Sequence, residues 1–263
     1  MTRIAIHGAG GRMGRRLVAL THEASDLTLA GAIEHAQHSE LGSDPGTLAG
    51  VGATDVNLGT ELPSNVDVVI DFALPVATEK IIQSCVTANV PLVIGTTGLT
   101  DQTHAAIDQA SKSIAILQAP NMSLGVNLLF ALAAQVAKQL GDDYDIEIIE
   151  AHHRFKRDAP SGTAFGIAQA ICDATGKDID KDVVHGRHGD DVQRKRGEIG
   201  MHSMRLGDEI GRHTACYATL GEELQLTHKA TSRDVFVRGA LKAAKWLADK
   251  PAGRYGMADV LGL

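Results

Sequence analysis

The chain has 263 residues, of which 44% are hydrophobic and 22% are charged, a composition typical of a globular protein with one large or two small domains. Its formal net charge of −7 argues against general binding to nucleic acid or to an anionic membrane. An anionic ligand would therefore need a local cluster of basic residues.

Simpler features exclude other classes of protein. The three cysteines lie far apart, which favours buried thiols over a disulfide framework or a zinc site, and we expect no bound metal. No uninterrupted apolar run reaches the roughly 18 residues of a membrane span, and the N-terminus lacks the pattern of a signal peptide. The sequence therefore predicts a cytoplasmic protein that does not enter a membrane.

The first half of the chain alternates strand-like and helix-like segments. The predicted strands are Arg3–His7, Leu27–Ile33, Val66–Phe72, Leu92–Ile94 and Ile114–Gln118, and the predicted helices are Arg15–Glu23, Val76–Ala88 and Asp101–Ser111. Apolar strands separated by helices favour a parallel sheet that is covered on both faces. The predicted fold class is α/β, with a Rossmann-like doubly wound parallel sheet.

The first predicted strand and helix are joined by the glycine-rich turn Gly8-Ala9-Gly10-Gly11-Arg12-Met13-Gly14. Glycine lets a backbone approach a pyrophosphate, and the helix N-terminus adds N–H groups and a positive dipole end. The spacing is Gly-x-x-Gly-x-x-Gly, because Met13 stands where the familiar fingerprint has its third glycine. An acid, Glu34, ends the second strand, where its carboxylate would accept hydrogen bonds from ribose hydroxyls. These features predict a dinucleotide site.

Glu34 also bears on the choice of cofactor. Its carboxylate would repel a 2′-phosphate unless a cation lay beside it, and the next residue, His35, is mostly neutral at pH 7 when unperturbed. The sequence therefore favours NADH over NADPH. Two later loops, Gly95-Thr96-Thr97 and Ala119-Pro120-Asn121-Met122, follow strands of the same sheet, where ligands bind in such folds. We expect both loops to contact the cofactor, although each could be a plain turn.

In the second half a long helix, Leu124–Leu140, precedes strands that follow one another without intervening helices. The predicted strands are Asp145–Glu150, Gly197–Arg205, Thr214–Leu220 and Glu223–Lys229, and the predicted helices are Ala164–Ala174 and Val235–Asp249. They indicate an inserted α+β domain with an open mixed sheet, and the polar stretch Asp178–Arg196 is predicted to be a loop. We expect a dinucleotide-binding domain, residues 1–123 and 233–263, and a substrate-binding and oligomerisation domain, residues 124–232.

Five potentially cationic residues fall within the six positions His152-His153-Arg154-Phe155-Lys156-Arg157. In a chain of net charge −7 such a cluster suits a small anion, for instance a dicarboxylate. Ser161 follows as a natural N-cap of the next helix, and Gly162 would let a ligand approach the backbone. His152 and Lys156 are candidate general acids. A metal site is disfavoured, because consecutive histidines point to opposite faces of a strand and no third ligand follows.

The chain resembles the 4-hydroxy-tetrahydrodipicolinate reductase family, long called the dihydrodipicolinate reductases. The longest matching run is Glu147-x-x-Glu150-x-His152-His153-x-x-Lys156-x-Asp158-x-Pro160-Ser161-Gly162-Thr163-Ala164. The glycine turn, the Gly95-Thr96-Thr97-Gly98 loop, the run Pro120-Asn121-Met122-Ser123-Leu124-Gly125-Val126-Asn127 and the tail Thr227-His228-Lys229-Ala230-x-x-Arg233 match as well. The resemblance thus spans nearly the whole chain.

This resemblance implies an NAD(P)H-dependent oxidoreductase that forms tetrahydrodipicolinate from a cyclic unsaturated dicarboxylate, on the diaminopimelate route to lysine. It implies His152 and Lys156 as the catalytic acid pair, and His153, Gly162 and Thr163 as ligands of the substrate carboxylate. The implied cofactor site comprises Gly8 to Met13, Glu34, His35, Gly95 to Thr97 and Ala119 to Met122. Relatives often carry arginine at the place of His35 and phenylalanine at that of Met122, and the first departure weighs against NADPH.

The resemblance also implies a homotetramer, with the sheets of the inserted domains packed around its centre. It further implies domain closure by hinging near Ser123-Leu124 and Arg233. Two alternatives remain open. Another nicotinamide dehydrogenase of a small carboxylate would keep the glycine turn without needing the His-His-x-x-Lys cluster. A non-catalytic dinucleotide sensor would keep the turn and Glu34, would not need Lys156, and should show a surface for a partner.

Overall fold

The computed structural model describes all 263 residues of the chain. They divide into two compact units, one formed by Met1–Ser123 with Asp234–Leu263 and the other by Leu124–Arg233. Each unit has its own sheet and its own apolar core.

The first unit is built on seven strands flanked by helices. The strands are β1 (Thr2–His7), β2 (Leu27–Ile33), β3 (Leu58–Gly59), β4 (Val68–Asp71), β5 (Leu92–Ile94), β6 (Ala115–Gln118) and β12 (Gly253–Tyr255). The helices are α1 (Arg12–Glu23), α2 (Pro45–Ala49), α3 (Pro75–Ala88), α4 (Asp101–Ala110), α8 (Asp234–Leu247) and α9 (Met257–Leu261). All strand pairs are parallel, in the order β12-β6-β5-β4-β1-β2-β3. The predicted Rossmann-like sheet is therefore confirmed.

Burial explains why these short apolar runs become strands. All four residues of β4 are buried, as are all three of β5, because helices cover both faces of a parallel sheet. The C-terminal helix α8 packs on α1 and on the central strands β4, β5 and β6. The sequence analysis predicts no element at β3, β12, α2 or α9, short segments that form no continuous apolar run.

The glycine turn is shorter than the sequence predicts. The structure starts α1 at Arg12 rather than Arg15, because Gly11 takes the extended conformation of an N-cap and its carbonyl accepts the N–H of Arg15 at 2.9 Å. Met13 and Gly14 consequently lie within the first turn of the helix.

The second unit combines a mixed sheet with helices. Its strands are β7 (Asp145–His152), β8 (Val183–His185), β9 (Ile199–Arg205), β10 (Gly211–Thr219) and β11 (Glu222–Ala230). Its helices are α5 (Leu124–Leu140), α6 (Gly162–Thr175) and α7 (Ile179–Asp182). In the order β11-β10-β7-β9-β8, the pairs that include β10 are antiparallel and the other two are parallel. The predicted open mixed sheet is confirmed.

One prediction for this unit is wrong. The stretch Asp178–Arg196, predicted as a loop, contains α7 and β8. Strand β8 is a short edge strand of three residues, and it is held in the sheet by pairing with Ile199–Met201 rather than by its own apolar pattern.

The core of the second unit lies between its sheet and the pair α5 and α6. Tyr217 is fully buried there and donates its hydroxyl to the carbonyl of Ala133 at 2.7 Å. By length and composition alone the segment Leu124–Asp143 could cross a membrane, a test that core helices also pass. In this structure the helix packs on α6 and β11.

Candidate active site

The glycine turn brings the N-terminus of α1 against the ends of β1 and β2. The N–H groups of Gly8 and Ala9 both donate to the carbonyl of Ile33, at 2.9 and 3.3 Å. A Cβ at Gly14 would lie 2.0 Å from the carbonyl oxygen of Gly8, so only glycine allows the helix to pack this tightly on the turn. No side chain caps α1 at Gly11. Its first turn therefore offers N–H groups without side-chain acceptors, as an anion site requires.

Glu34 lies beside this turn, at the end of β2. Its carboxylate accepts the N–H of Gly10 at 3.3 Å. Glu34, His35 and Lys80 line a cavity of about 220 Å³. The ammonium of Lys80 lies 4.0 Å from its only charged partner, Glu61, and both side chains are largely exposed. The sequence did not suggest a cation at this position.

The two later loops lie at the carboxyl ends of β5 and β6. Thr96 is buried, and its hydroxyl accepts the N–H of Ala73 at 3.1 Å, which ties the loop after β5 to the loop after β4. Met122 is also buried, and its carbonyl oxygen would lie 1.7 Å from a Cβ at Gly239. Helix α8 thus fixes the second loop by a backbone contact. The other predicted loop residues, Gly95, Thr97, Ala119, Pro120 and Asn121, belong to the same two turns.

A buried network is centred on Glu150 in β7. Glu150 is fully buried, and its Oε2 lies 2.6 Å from Nδ1 of His152, two residues further along the same strand. Arg205 of β9, directly paired with His152 in the sheet, donates to both carboxylate oxygens at 2.9 and 2.8 Å. The N–H of Ser161 donates to Oε1 at 3.2 Å. One carboxylate therefore joins an imidazole, a guanidinium and the start of α6.

The electrostatics follow from these contacts. Burial by itself would raise the pKa of Glu150, but the hydrogen bonds from Arg205 and His152 outweigh it and place that pKa below its ordinary value. Burial lowers the pKa of His152, and the hydrogen bond to Glu150 opposes this only in part. The positive charges of Lys156 and Arg205 lower the pKa of His152 further. At neutral pH Glu150 is therefore ionised and His152 is mostly neutral.

Lys156 follows His152 in a tight turn. Its N–H donates to the carbonyl of His153 at 3.1 Å, and its ammonium donates to both carboxylate oxygens of Asp158 at 2.8 and 2.9 Å. The hydrogen bond from Lys156 is the main cause that lowers the pKa of Asp158. Arg205 holds this turn as well, since it donates to the carbonyl of Asp158 at 2.7 Å.

Ser161 caps α6, as predicted, and its hydroxyl accepts the N–H of Ala164 at 3.2 Å. The same hydroxyl lies 3.0 Å from Nε2 of His213, whose pKa burial lowers to about 3. A Cβ at Gly162 would meet no atom within 4 Å, so the space in front of this backbone is open. Thr163 follows within the first turn of α6. The two residues offer a helix N-terminus to a ligand carboxylate.

The other cationic residues of the cluster are placed differently. His153 is half-buried, and its buried Nδ1 has no hydrogen-bond partner in the protein. The side chains of Arg154 and Arg157 are exposed. The structure therefore brings His152, Lys156 and the Ser161 turn together, while two of the five predicted cations face solvent. No group of three or more His, Cys, Asp or Glu side chains is arranged to hold a metal ion.

Family models match almost the entire chain. The model "Dihydrodipicolinate reductase, N-terminus" matches residues 2–122, and "Dihydrodipicolinate reductase, C-terminus" matches residues 125–261. The chain belongs to the dihydrodipicolinate reductase family. It is 49% identical over its full length to 4-hydroxy-tetrahydrodipicolinate reductase of Pseudoalteromonas atlantica, and 47% identical to that of Alkalilimnicola ehrlichii, covering 100% and 99% of those proteins.

A solved dihydrodipicolinate reductase supports the fold. The dipicolinate-bound enzyme from a Paenisporosarcina species superposes with a TM-score of 0.75 over 98% of this chain and 99% of its own, at 24% identity. The resemblance inferred from the sequence motifs is therefore confirmed at the level of the family.

The sequence alone did not identify several residues that surround the dihydrodipicolinate reductase motif in the structure. The spacing could have indicated Glu150, because residues two apart on a strand lie on the same face and Glu150 precedes His152 by two residues. Arg205 and His213 come from other strands, and only the sheet pairing brings them to the site. Gly211 belongs to the same group, since a Cβ there would lie 3.1 Å from Nε2 of His152.

Proposed function

We propose that this chain reduces 4-hydroxy-tetrahydrodipicolinate to tetrahydrodipicolinate, with NADH or NADPH as the reductant, in the diaminopimelate pathway of lysine biosynthesis. Membership of the dihydrodipicolinate reductase family supports the reaction. The observation that carries the proposal is the joining of the His152 imidazole and the Ser161 turn through one buried carboxylate, next to the ammonium of Lys156. That arrangement supplies proton transfer and anion binding at one place.

The residues of the first unit fit a dinucleotide. The close packing at Gly14 and the uncapped N-terminus of α1 form the kind of cradle that a pyrophosphate requires. Gly8 to Met13 would hold the pyrophosphate, Glu34 with His35 the adenosine ribose, and the loops Gly95 to Thr97 and Ala119 to Met122 the nicotinamide half. When bound, the cofactor supplies a hydride to the conjugated ring carbon of the substrate.

The preference for NADH rests on Glu34. Its carboxylate lies beside the glycine turn, where it would face the adenosine ribose and repel a 2′-phosphate. Lys80 in the same cavity is a cation that could offset this repulsion. We propose that both cofactors are accepted and that NADH is preferred.

The residues of the second unit fit a dicarboxylate. The first turn of α6 at Gly162 and Thr163 would bind one carboxylate through its N–H groups and positive dipole end. The unpaired Nδ1 of His153 provides a further polar group for the substrate. Lys156 would exchange its exposed partner, Asp158, for the substrate, at little cost because that carboxylate remains in water.

The two catalytic residues differ in the proton that each carries. Lys156 holds a proton on Nζ, whereas neutral His152, with Nδ1–H donated to Glu150, has a lone pair on Nε2. We propose that Nε2 of His152 removes the hydrogen from the ring carbon beside the hydroxyl-bearing carbon, while Lys156 protonates the departing hydroxyl as water. His152 then returns its proton to the same ring carbon once the hydride has been added.

Three further expectations belong to this proposal. The protein would act as a homotetramer in the cytoplasm, with the mixed sheets of the second units packed around its centre. Closure by hinging near Ser123-Leu124 and Arg233 stays a prediction.

The test is a coupled assay. The substrate would be made in situ from pyruvate and aspartate semialdehyde by its synthase, and the oxidation of NADH and of NADPH would be followed by absorbance. Turnover that depends on the synthase, and that pyridine-2,6-dicarboxylate inhibits competitively, would support the proposal. Binding of the cofactor without turnover of either one would overturn it in favour of another dehydrogenase or a sensor.

A further inference from the structure

Glu150 has more partners than a buried carboxylate needs for its own neutralisation. Arg205 alone balances its charge with two hydrogen bonds of 2.9 and 2.8 Å. Ser203 also donates a hydrogen bond to the carboxylate. Two further contacts come from Nδ1 of His152 and from the N–H of Ser161, at 2.6 and 3.2 Å. One of these two partners belongs to the proton-transfer site and the other to the start of the carboxylate-binding turn. Since Glu150 is fully buried, water cannot replace these contacts.

These contacts determine which nitrogen of His152 carries the hydrogen. An ionised carboxylate can only accept, so Nδ1 of His152 must donate and Nε2 must carry the lone pair. Nε2 lies in the space left by Gly211, where a Cβ would come within 3.1 Å of it. The imidazole is thereby fixed in both orientation and tautomer.

We propose that Glu150 is a positioning residue that sets the tautomer of His152 and at the same time aligns the Ser161 turn with it. The inference rests on the proposed function, because it assigns to Nε2 of His152 the role of proton acceptor. Glu150 itself is kept from the substrate by its burial and acts through its two neighbours.

The groups around His152 come from four elements. Glu150 lies on the same strand, Lys156 on the following turn and Arg205 on β9, and the ring of His213 on β10 packs edge-on at 5.1 Å between centroids. His213 stays neutral, because burial lowers its pKa to about 3. Glu150 is therefore the only anion among these groups, against two cations. Its loss would disfavour a proton on His152.

The substitution Glu150→Gln keeps the size of the side chain and removes its charge. The amide has one oxygen, and Arg205 and Ser161 both require an acceptor. The oxygen therefore takes the place of Oε1, where it keeps the hydrogen bonds from Nη2 of Arg205 and from the N–H of Ser161. The NH₂ group takes the place of Oε2, where it faces Nδ1 of His152 and the hydrogen bond from Nη1 of Arg205 is lost. The imidazole must then accept at Nδ1 and carry its hydrogen on Nε2, which is the unproductive tautomer. We expect kcat to fall by roughly 10²-fold or more.

The chain provides a matched control on the same strand. Glu147 also lies among arginine and histidine partners: Arg187 donates to it at 2.8 Å, Nε2 of His202 lies 2.6 Å away, and Arg194 contacts it as well. It touches neither His152 nor the Ser161 turn. Glu147→Gln should lower the thermal transition, as the loss of a paired carboxylate does, but leave kcat within about twofold of the wild type.

Two readouts separate positioning from a purely structural role. One is the pH profile of kcat/KM, and the other is the titration of His152, followed by NMR of protein labelled with ¹³C-histidine and assigned with His152→Gln. In Glu150→Gln we expect the His152 midpoint to fall by about one pH unit, and the acid limb of the profile to move down with it. Glu147→Gln should move neither. An unchanged midpoint, or a wild-type kcat in Glu150→Gln, would overturn the inference.

A second variant covers the case in which Glu150→Gln does not fold. Glu150→Asp keeps the charge, but the shorter side chain cannot reach His152 and Ser161 together, so kcat should fall at least about tenfold while the His152 midpoint stays near that of the wild type. Full activity of Glu150→Asp would refute the two-sided alignment. Absence of turnover in the wild type would refute the proposed function instead, and the NMR titration would still decide the role of Glu150.

Discussion

Replacing Lys156 with alanine should abolish most of the activity while leaving the fold intact. The Lys156 side chain is 21% exposed and is held only by Asp158, whose side chain is 61% exposed. Loss of the ammonium leaves a carboxylate that water can solvate, so the free energy of unfolding should change by no more than about 1 kcal/mol. If Nζ donates a proton in the transition state, kcat should fall roughly 10²–10⁴-fold. That fall corresponds to about 2.7–5.4 kcal/mol of lost transition-state stabilisation.

The measurement is the coupled assay under saturating cofactor, together with thermal denaturation of each variant. Lys181→Ala is the control, since Lys181 likewise pairs with a nearby aspartate, Asp178, but lies outside the site. We expect it to match the wild type in kcat. A Lys156→Ala enzyme that keeps kcat within about threefold of the wild type would refute the assignment of Lys156. A large loss of thermal stability would show that the structural reasoning is wrong.

Three further predictions follow from the same site. The acid limb of kcat/KM should reflect His152, which must be neutral to accept a proton. Because burial lowers the pKa of His152 from the ordinary 6.5, activity should be retained above pH 6.5 and lost only as the pH falls below that value. An acid limb at or above pH 7 in a pH series would contradict this prediction. Gly239→Ala should destabilise the protein by about 1–3 kcal/mol in thermal denaturation and raise KM for the cofactor, since the new Cβ would lie 1.7 Å from the carbonyl oxygen of Met122. Unchanged stability of the variant would argue against this contact. Glu34→Gln should raise the ratio of kcat/KM with NADPH to kcat/KM with NADH by about tenfold, because it removes one negative charge from the cavity that Glu34 lines. An unchanged ratio would show that Glu34 does not face the 2′ position of the cofactor.

The sequence predicts the first unit well because its signals are local. A glycine turn, an acid at the end of the next strand and buried apolar runs all lie within short stretches, and parallel strands necessarily bring their carboxyl ends to one edge. The limits appear where distant segments meet. Gly239 lies more than 100 residues from Met122, and nothing in its own helix indicates that a carbonyl packs against it. Lys80 on α3 likewise reaches the cavity beside Glu34 only through the fold.

In the second unit the sequence likewise predicts local features but not the contacts between distant segments that decide the charges of the site. The cluster of five cations predicts an anion site, but the structure exposes Arg154 and Arg157 to solvent. The sequence also does not predict Arg205 of β9, which pairs with the buried carboxylate of Glu150. Local spacing and resemblance predict His152 and Lys156 as the catalytic pair. The sequence does not predict the protonation state of His152, because it depends on burial and on charges that come partly from two other elements, the turn of Lys156 and β9 with Arg205.

Two glutamates on β7 show what turns a polar network into a site. Glu147 and Glu150 each contact a histidine at 2.6 Å, and each also accepts from arginine. Their surroundings differ: Glu147 is 26% exposed and its histidine 35%, whereas Glu150 is fully buried and the side chain of His152 is 11% exposed. Water can screen and replace the contacts between Glu147 and His202, so these contacts do not fix the orientation of the imidazole. In the second pair the buried carboxylate must find its donors within the protein, and that requirement fixes one tautomer and one orientation of the imidazole.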